Sequence, residues 1–324
     1  MISQASAQAP ALPAVLIEAF TGQPHRGNGA TVVLLDKPAS TDWMQAMASS
    51  LRQSETAFLV PRQGQWLLRW FTPSCEVPLC GHATLAAVLA LGHWRLLAEG
   101  DVVRFHSLSG PLPSQCLRAP VCESAGRGVI EIPPGDLLQA EPPPLLRRVL
   151  DLALGCEVLA FWRSALGYAV ALLPEDAALA EMACIADQLD QDLGSGLALM
   201  QPAAQSPEPC RPDLALEAMP PLDDLEARAD YRLRFFAPGL GIREDPVTGS
   251  AHALVARWWQ KRIGRSHVVG WQCSDRPGGL VSAGGASGMI RLIGQGVLLW
   301  DGHLNVVPSG CAPACGWPAL APDP

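Results

Sequence analysis

At 324 residues, 49% of them hydrophobic and 17% charged, the chain holds enough apolar material for two domains of ordinary size. A net charge of −8 without a basic stripe excludes a phosphate grip on nucleic acid, and no apolar run approaches the roughly 18 residues of a membrane span. The ten cysteines are scattered without a CxxC or a paired Cys/His cluster, which reads as free thiols of a cytoplasmic protein rather than a metal site or a disulfide frame.

The N-terminus, Met1 to Ser6, lacks a basic region and a compact apolar segment, and reads as a disordered lead-in rather than a signal peptide. Residues 14–20 form a first strand, 22–29 a polar glycine-containing loop, and 30–35 a second strand. Thr41 or Asp42 caps a helix running to about Arg52. Residues 56–60 and 65–71 pair around the turn Pro61-Arg62-Gln63-Gly64.

Residues 83–94 are apolar on nearly every face, so this helix is buried all round, inside a domain and wrapped by sheet. Further strands follow at 102–106 and 128–132. The proline-rich stretch 133–144 connects two halves, placing the domains at about 1–124 and 125–324, with a C-terminal strand free to return to the first. A helix at 145–154, a strand pair over 158–173 broken near Gly167, and a surface helix at 175–189 come next. The segment 201–221 reads as loop and 222–228 as a solvated, alternately charged stretch. Then come a strand at 231–236, a helix at 250–263 with basic residues at its end, and hairpins from 268 to 307. Cys311 and Cys315 form the closest cysteine pair, in a proline- and glycine-rich tail.

The chain also repeats itself. Leu68-Arg69-Trp70-Phe71-Thr72-Pro73 returns as Leu233-Arg234-Phe235-Phe236-Ala237-Pro238. Each copy precedes a glycine turn opening an apolar run, at Cys80-Gly81-His82 and at Thr248-Gly249-Ser250. A repeat of this period predicts two similar α+β domains and two similar helix starts. The sequence has no GxGxxG or GxxxxGK[ST], which weighs against a nucleotide site.

A glycine-led helix start exposes backbone N–H groups that attract an anion. Two of them across one cleft suit a small acidic substrate and a developing enolate-like charge. Glycines that merely allow close helix packing are the plainer alternative. Glu55, against an apolar strand, is either an exposed strand-end carboxylate or the candidate acid/base, since burial raises a carboxyl group into a useful range. His82 in the first helical turn is expected to stay neutral beside the helix dipole and to exchange hydrogen bonds. Asp245, before Pro246 and the second glycine, either caps that turn or acts as a second acid/base. Ser250 either caps the helix or donates to a substrate oxygen. Cys80, at a helix N-terminus, is a third candidate base. Its counterpart Thr248 cannot act as one, so a symmetric two-thiol site is not encoded. His252 reads as a packed core residue.

These residues carry a resemblance to the PhzF-like family of phenazine-biosynthesis isomerases, related to diaminopimelate epimerase. Its motifs run from Glu18-Ala19-Phe20-Thr21 and Gly27-Asn28-Gly29-Ala30 through Ser54-Glu55-Thr56-Ala57-Phe58 to Cys80-Gly81-His82-Ala83-Thr84. They end in Glu244-Asp245-Pro246-Val247-Thr248-Gly249-Ser250-Ala251-His252. The resemblance implies two pseudo-twofold-related domains of diaminopimelate epimerase-like fold, each a β-barrel-like sheet around a central helix. It implies proton transfer in the cleft between them without metal or cofactor, commonly in a homodimer. Glu55 takes the acid/base role by this resemblance, with His82, Asp245 and Ser250 beside it and the amides of Gly81 and Gly249 at the substrate. The chain departs from the family's Asp-Ala-Phe and Gly-Asn-Pro at Glu18 and Gly29. Two other functions stay open: an epimerase using Cys80 plus a carboxylate, and a catalytically silent binder of small molecules.

Overall fold

The protein is described here as a computed structural model covering residues 11–121, 124–189, 193–203, 224–308 and 316–318. The first half runs β1 (Leu12–Ala19), β2 (Asn28–Leu34), α1 (Thr41–Leu51), β3 (Glu55–Arg62), β4 (Gln65–Phe71) and β5 (Glu76–Val77). It continues through α2 (Gly81–His93), β6 (Val102–Ser107), β7 (Gly110–Arg118) and β8 (Gly126–Ile132). The second half begins with β9 (Leu138–Gln139), α3 (Pro144–Leu154), β10 (Ala160–Arg163), β11 (Tyr168–Leu172) and β12 (Gly196–Pro202). It ends with β13 (Tyr231–Ala237), β14 (Ile242–Asp245), α4 (Gly249–Ile263), β15 (His267–Gln272), β16 (Gly278–Gly284) and the long β17 (Ile290–Leu304).

The halves share one topology. β2 runs parallel to β3 as β11 does to β12, and β4 runs parallel to β6 as β13 does to β15. In each half a sheet curls around one helix, giving an α+β fold of two similar domains. Every residue of α2 from Gly81 to Gly92 is buried, against β1, β2, β3, β7, β8 and β17. A helix with no polar face has no other stable place, and each buried Leu or Val in it contributes roughly 1.5–3 kcal/mol. α4 buries its first two turns and Trp259, and ends in Lys261 and Arg262, which suit the negative end of the helix dipole.

Two matching arginines pin the turns that precede these helices. Arg69, buried, grips Glu76 with Nε and Nη2, both at 2.6 Å, and lies over the Phe71 ring. Arg234, also buried, grips Glu244 at 2.7 and 2.6 Å and lies over Phe236. This bidentate fork is the geometry only arginine supplies. It explains why the repeat keeps Leu-Arg-aromatic-Phe in both copies.

The strand β17 links the halves. Its first part pairs with β16 and β8, and its second part with β1, from Ala19↔Gly296 to Leu12↔Leu304. Glu18, the departure from the family's aspartate, is buried at that seam. It accepts from the His25 amide at 2.6 Å and pairs with Arg276 of the second half.

Strands β5, β7, β9, β12 and β14 have no counterpart in the sequence reading, and one expected helix is absent. The surface helix expected over 175–189 is irregular apart from a single 3-10 turn at Ala186–Gln188. Its apolar residues Leu179, Met182 and Ile185 are buried, and their carbonyls serve the tertiary structure instead: Leu179 O and Met182 O accept from Arg234. Strand β7 carries Pro111 and Pro113, the usual signs of a break. Both lie where β7 pairs with β6 alone, since pairing with β8 begins only at Ser114. Their missing N–H groups are therefore not needed by a second neighbour. Most of the loop expected at 201–221, and the pair Cys311 and Cys315, fall outside the described residues. No helix among the described residues is long and apolar enough to cross a membrane.

Candidate active site

The two glycine turns meet. A Cβ added to Gly81 would stand 3.1 Å from the Cα of Gly249, and one added to Gly249 would stand 3.2 Å from the Cα of Gly81. The N-termini of α2 and α4 therefore abut, and a Cβ on either side would crowd the facing backbone. Neither cap residue, Cys80 or Thr248, bonds its own helix through its side chain. Close packing and an anion-facing pair of helix starts turn out to be compatible readings of the same glycines.

Around this junction the fold gathers most of the expected residues. Glu55 begins β3 and His82 occupies the first turn of α2, with Glu55 Oε2 2.8 Å from His82 Nε2 and both groups buried. Cys80 Sγ lies 3.5 Å from His82 Nδ1. From the second half, Asp245 at the end of β14 accepts from Thr248 Oγ1 at 2.5 Å. Ser250, in the first turn of α4, has its Oγ 3.3 Å from the hydroxyl of Tyr168.

Two residues that the sequence reading passed over complete the cluster. Asn28 reaches across the halves: its Nδ2 is 3.1 Å from His82 Nδ1, donates to Asp245 Oδ1 at 2.6 Å and approaches Val247 O at 3.2 Å. In the neutral imidazole, with the amide nitrogen turned to Nδ1, the proton sits on Nε2, facing Glu55. Gln272 donates to the Asp245 carbonyl at 2.6 Å and accepts the Thr248 amide at 2.8 Å, fixing the second glycine turn. The Gly27-Asn28 motif was a visible signal for the first. Nothing in the sequence marks Gln272, whose role depends on β15 lying beside the turn.

The electrostatics correct two expectations. Burial opposes charge on His82, yet the Cys80 sulfur and then the Glu55 carboxylate hold its pKa well above the usual histidine range. The helix start does not keep it weakly basic. The Cys80 thiol is pushed up to about 11, by burial and then by Glu55, rather than lowered by the helix dipole. Near neutrality it is a thiol. The Asp245 carboxyl is also raised, by burial first, with Glu55 adding to it and His82, Thr248 and Asn28 opposing. His252 is a packed core residue: its Nδ1 lies 2.8 Å from the Tyr231 hydroxyl and burial lowers its pKa to about 3.

Glu55, Cys80 and His82 could also serve as metal donors, since one ligand atom from each lies within 4.8 Å of the others. A cavity of about 350 Å³ lies elsewhere, behind Phe20, and contains none of the expected site residues. Its wall Phe20 faces Gly249, where an added Cβ would meet the ring at 3.4 Å. The clustered titratable groups lie at the glycine junction, not in that cavity.

Strand register shows how unequal the halves are. Phe71 and Phe236, equivalent in the repeat, lie opposite Thr56 and Leu197. One residue earlier stand Glu55 and Gly196, equivalent positions, and these lie opposite Ala30 and Tyr168. The second half thus has a glycine where the first has its carboxylate.

A family model of phenazine biosynthesis-like proteins, PhzC-PhzF, matches residues 17–132 and 199–302. The chain belongs to this family. An uncharacterised isomerase of Pseudomonas aeruginosa is 34% identical over 302 residues, covering 91% of this chain and 95% of that protein. A phenazine biosynthesis-like domain-containing protein of Mus musculus is 29% identical, covering 91% and 99%. A solved PhzF-family protein of Enterococcus faecalis superposes with a TM-score of 0.72 at 28% identity, covering 91% and 99%. A hydroxyproline epimerase of Agrobacterium vitis, at 11% identity and TM-score 0.54 over 91% and 92%, shares the fold. The PhzF-like protein is accordingly an enzyme of the isomerase class.

Proposed function

We propose that this PhzF-like protein moves a proton on a small carboxylate-bearing substrate with its own side chains, without a cofactor. Glu55 takes the proton from a carbon beside a carbonyl or carboxylate group and returns it at another carbon. The resulting enolate-like charge faces the N–H groups of Gly81, Gly249 and their neighbours. His82 carries a proton toward Glu55 and, with Asp245 and Ser250, binds and polarises the substrate. Cys80 and Thr248 line the same junction.

The observation that carries this reading is the register: the second half has Gly196 where the first has Glu55. One carboxylate base at this position favours movement of a proton over one face. The test is Glu55→Gln, assayed by deuterium incorporation into small carboxylic acids in heavy water. A general acid/base contributes about 10²–10⁴-fold, and that loss is expected in a protein that still folds. Unchanged exchange would remove Glu55 from the role.

A second reading is supported by the proximity of Cys80 to His82 and by the fold shared with an epimerase. In it Cys80 and a carboxylate act on opposite faces of one carbon. Its thiol, raised to about 11, is a poor base at neutral pH. Cys80→Ala that exchanges protons at the wild-type rate, with a shifted double bond in the product, excludes it.

A further inference from the structure

Tyr168 is one of only two tyrosines in the chain, and no motif draws attention to it. It opens β11, the counterpart of β2, and lies opposite Gly196 as Ala30 lies opposite Glu55. The second half has therefore exchanged a small residue beside a carboxylate for a tyrosine beside a glycine. An added Cβ at Gly196 would come within 2.5 Å of the Phe235 ring, and Tyr168 packs edge-on against that same ring at 4.8 Å. Two aromatic rings occupy this corner, and they aim a hydroxyl at the glycine junction. That hydroxyl is half-buried, 3.3 Å from Ser250 Oγ. Burial raises its pKa, the Ser250 hydroxyl opposes the shift, and the Asp245 and Glu55 charges add to it. It stays a donor at any physiological pH.

The Tyr168–Ser250 separation is long for an O–H···O bond, whose usual length is about 2.7–2.8 Å. Two hydroxyls so spaced can both donate to a third oxygen lying about 2.8 Å from each. The arrangement has the form of a two-point grip on one acceptor, supplied by the second half.

We propose that Tyr168 is a substrate-contacting, specificity-determining residue that, together with Ser250, holds one oxygen of the substrate carboxylate. This rests on the reading of the site as one for small acids, and deepens it. The first half then supplies the base and the second half the anchor. Acids whose carboxylate lies close to the labile carbon are selected.

The experiment titrates a panel of small linear and cyclic mono- and dicarboxylic acids into ¹⁵N-labelled protein and follows the Gly81 and Gly249 amides. Wild type, Tyr168→Phe, Ser250→Ala and the double variant are compared. A hydrogen bond to a charged group corresponds to roughly ten-fold or more in affinity. Tyr168→Phe is expected to bind the acids that move both amides about ten-fold more weakly. The double variant is expected to lose less than the product of the single losses, because both hydroxyls serve one oxygen. Wild-type affinity in Tyr168→Phe, strictly multiplicative losses, or no acid moving either amide in wild type overturns the proposal. Proton exchange by Glu55→Gln is scored separately: if it persists while Tyr168→Phe weakens binding, the base assignment fails and the anchor stands.

Discussion

At the level of single residues, environment overrides the local rule in this site. A cysteine at a helix N-terminus should be acidified. Cys80 is not, because removing the thiolate from water and placing it near Glu55 both cost more than the helix start returns. Alkylation at pH 7.5 should therefore leave Cys80 unmodified while the exposed Cys75 reacts, read by mass spectrometry of the peptides. His252 makes the complementary case. Its folded pKa, about 3, lies below the ordinary histidine value of 6.5, so the unfolded chain binds the extra proton between those limits. Its contribution to stability is complete above pH 6.5 and falls as pH drops toward 3. The slope of Tm against pH over 6.5 to 4 should be shallower in His252→Gln than in wild type, whatever that variant's stability at pH 8. An equal slope would place the acid sensitivity elsewhere.

The elements show what the repeat is for. The motif Leu-Arg-aromatic-Phe was readable twice in the sequence, and so were the glycine turns. Their connection was not. Arg69 holds Glu76, four residues before Cys80, and Arg234 holds Glu244, next to Asp245. Each strand thus ties down the segment that delivers its helix start. Breaking a buried pair from one side costs about 3–5 kcal/mol because a charge is left unpaired. Arg234→Met, which strands a nearly buried Glu244, should approach that loss in urea denaturation, and the double variant Arg234→Met, Glu244→Leu should recover part of it. Arg69→Met should cost less, since Glu76 is 22% exposed and water screens it. The missed strand β7 and the over-read helix at 175–189 share one cause. Proline and acidic residues report local preference, while pairing at one edge and carbonyls given to Arg234 are tertiary facts.

Across the whole molecule, β17 makes the halves one cooperative unit. It begins in the second sheet and ends against β1, and Glu18 with Arg276 closes the same seam. Thermal unfolding is expected as a single transition by circular dichroism and tryptophan fluorescence, with Trp70 and Trp259 reporting from opposite halves. Two resolved transitions would contradict that. Gly81→Val should separate the abutting helix starts: its side chain meets backbone at Gly249, which has no rotamer to yield. Exchange activity should fall by at least the two orders of magnitude expected for a displaced site, with both sheets retained.

Much was determined along the chain alone: two like halves, a fully apolar helix that had to be enclosed, glycines at both helix starts, and Glu55, His82, Asp245 and Ser250 as candidate site residues. Periodicity and motif spacing are local, and they survive in one dimension. Only the tertiary structure decided which of these meet. It joined His82 to Asp245 through Asn28, brought Gln272 beneath the second turn, and raised the pKa of Cys80. It also aligned Glu55 with Gly196 and put Tyr168 beside it. Those outcomes depend on register between strands far apart in sequence and on how deeply each group is taken from water. Neither quantity is carried by any single stretch of residues.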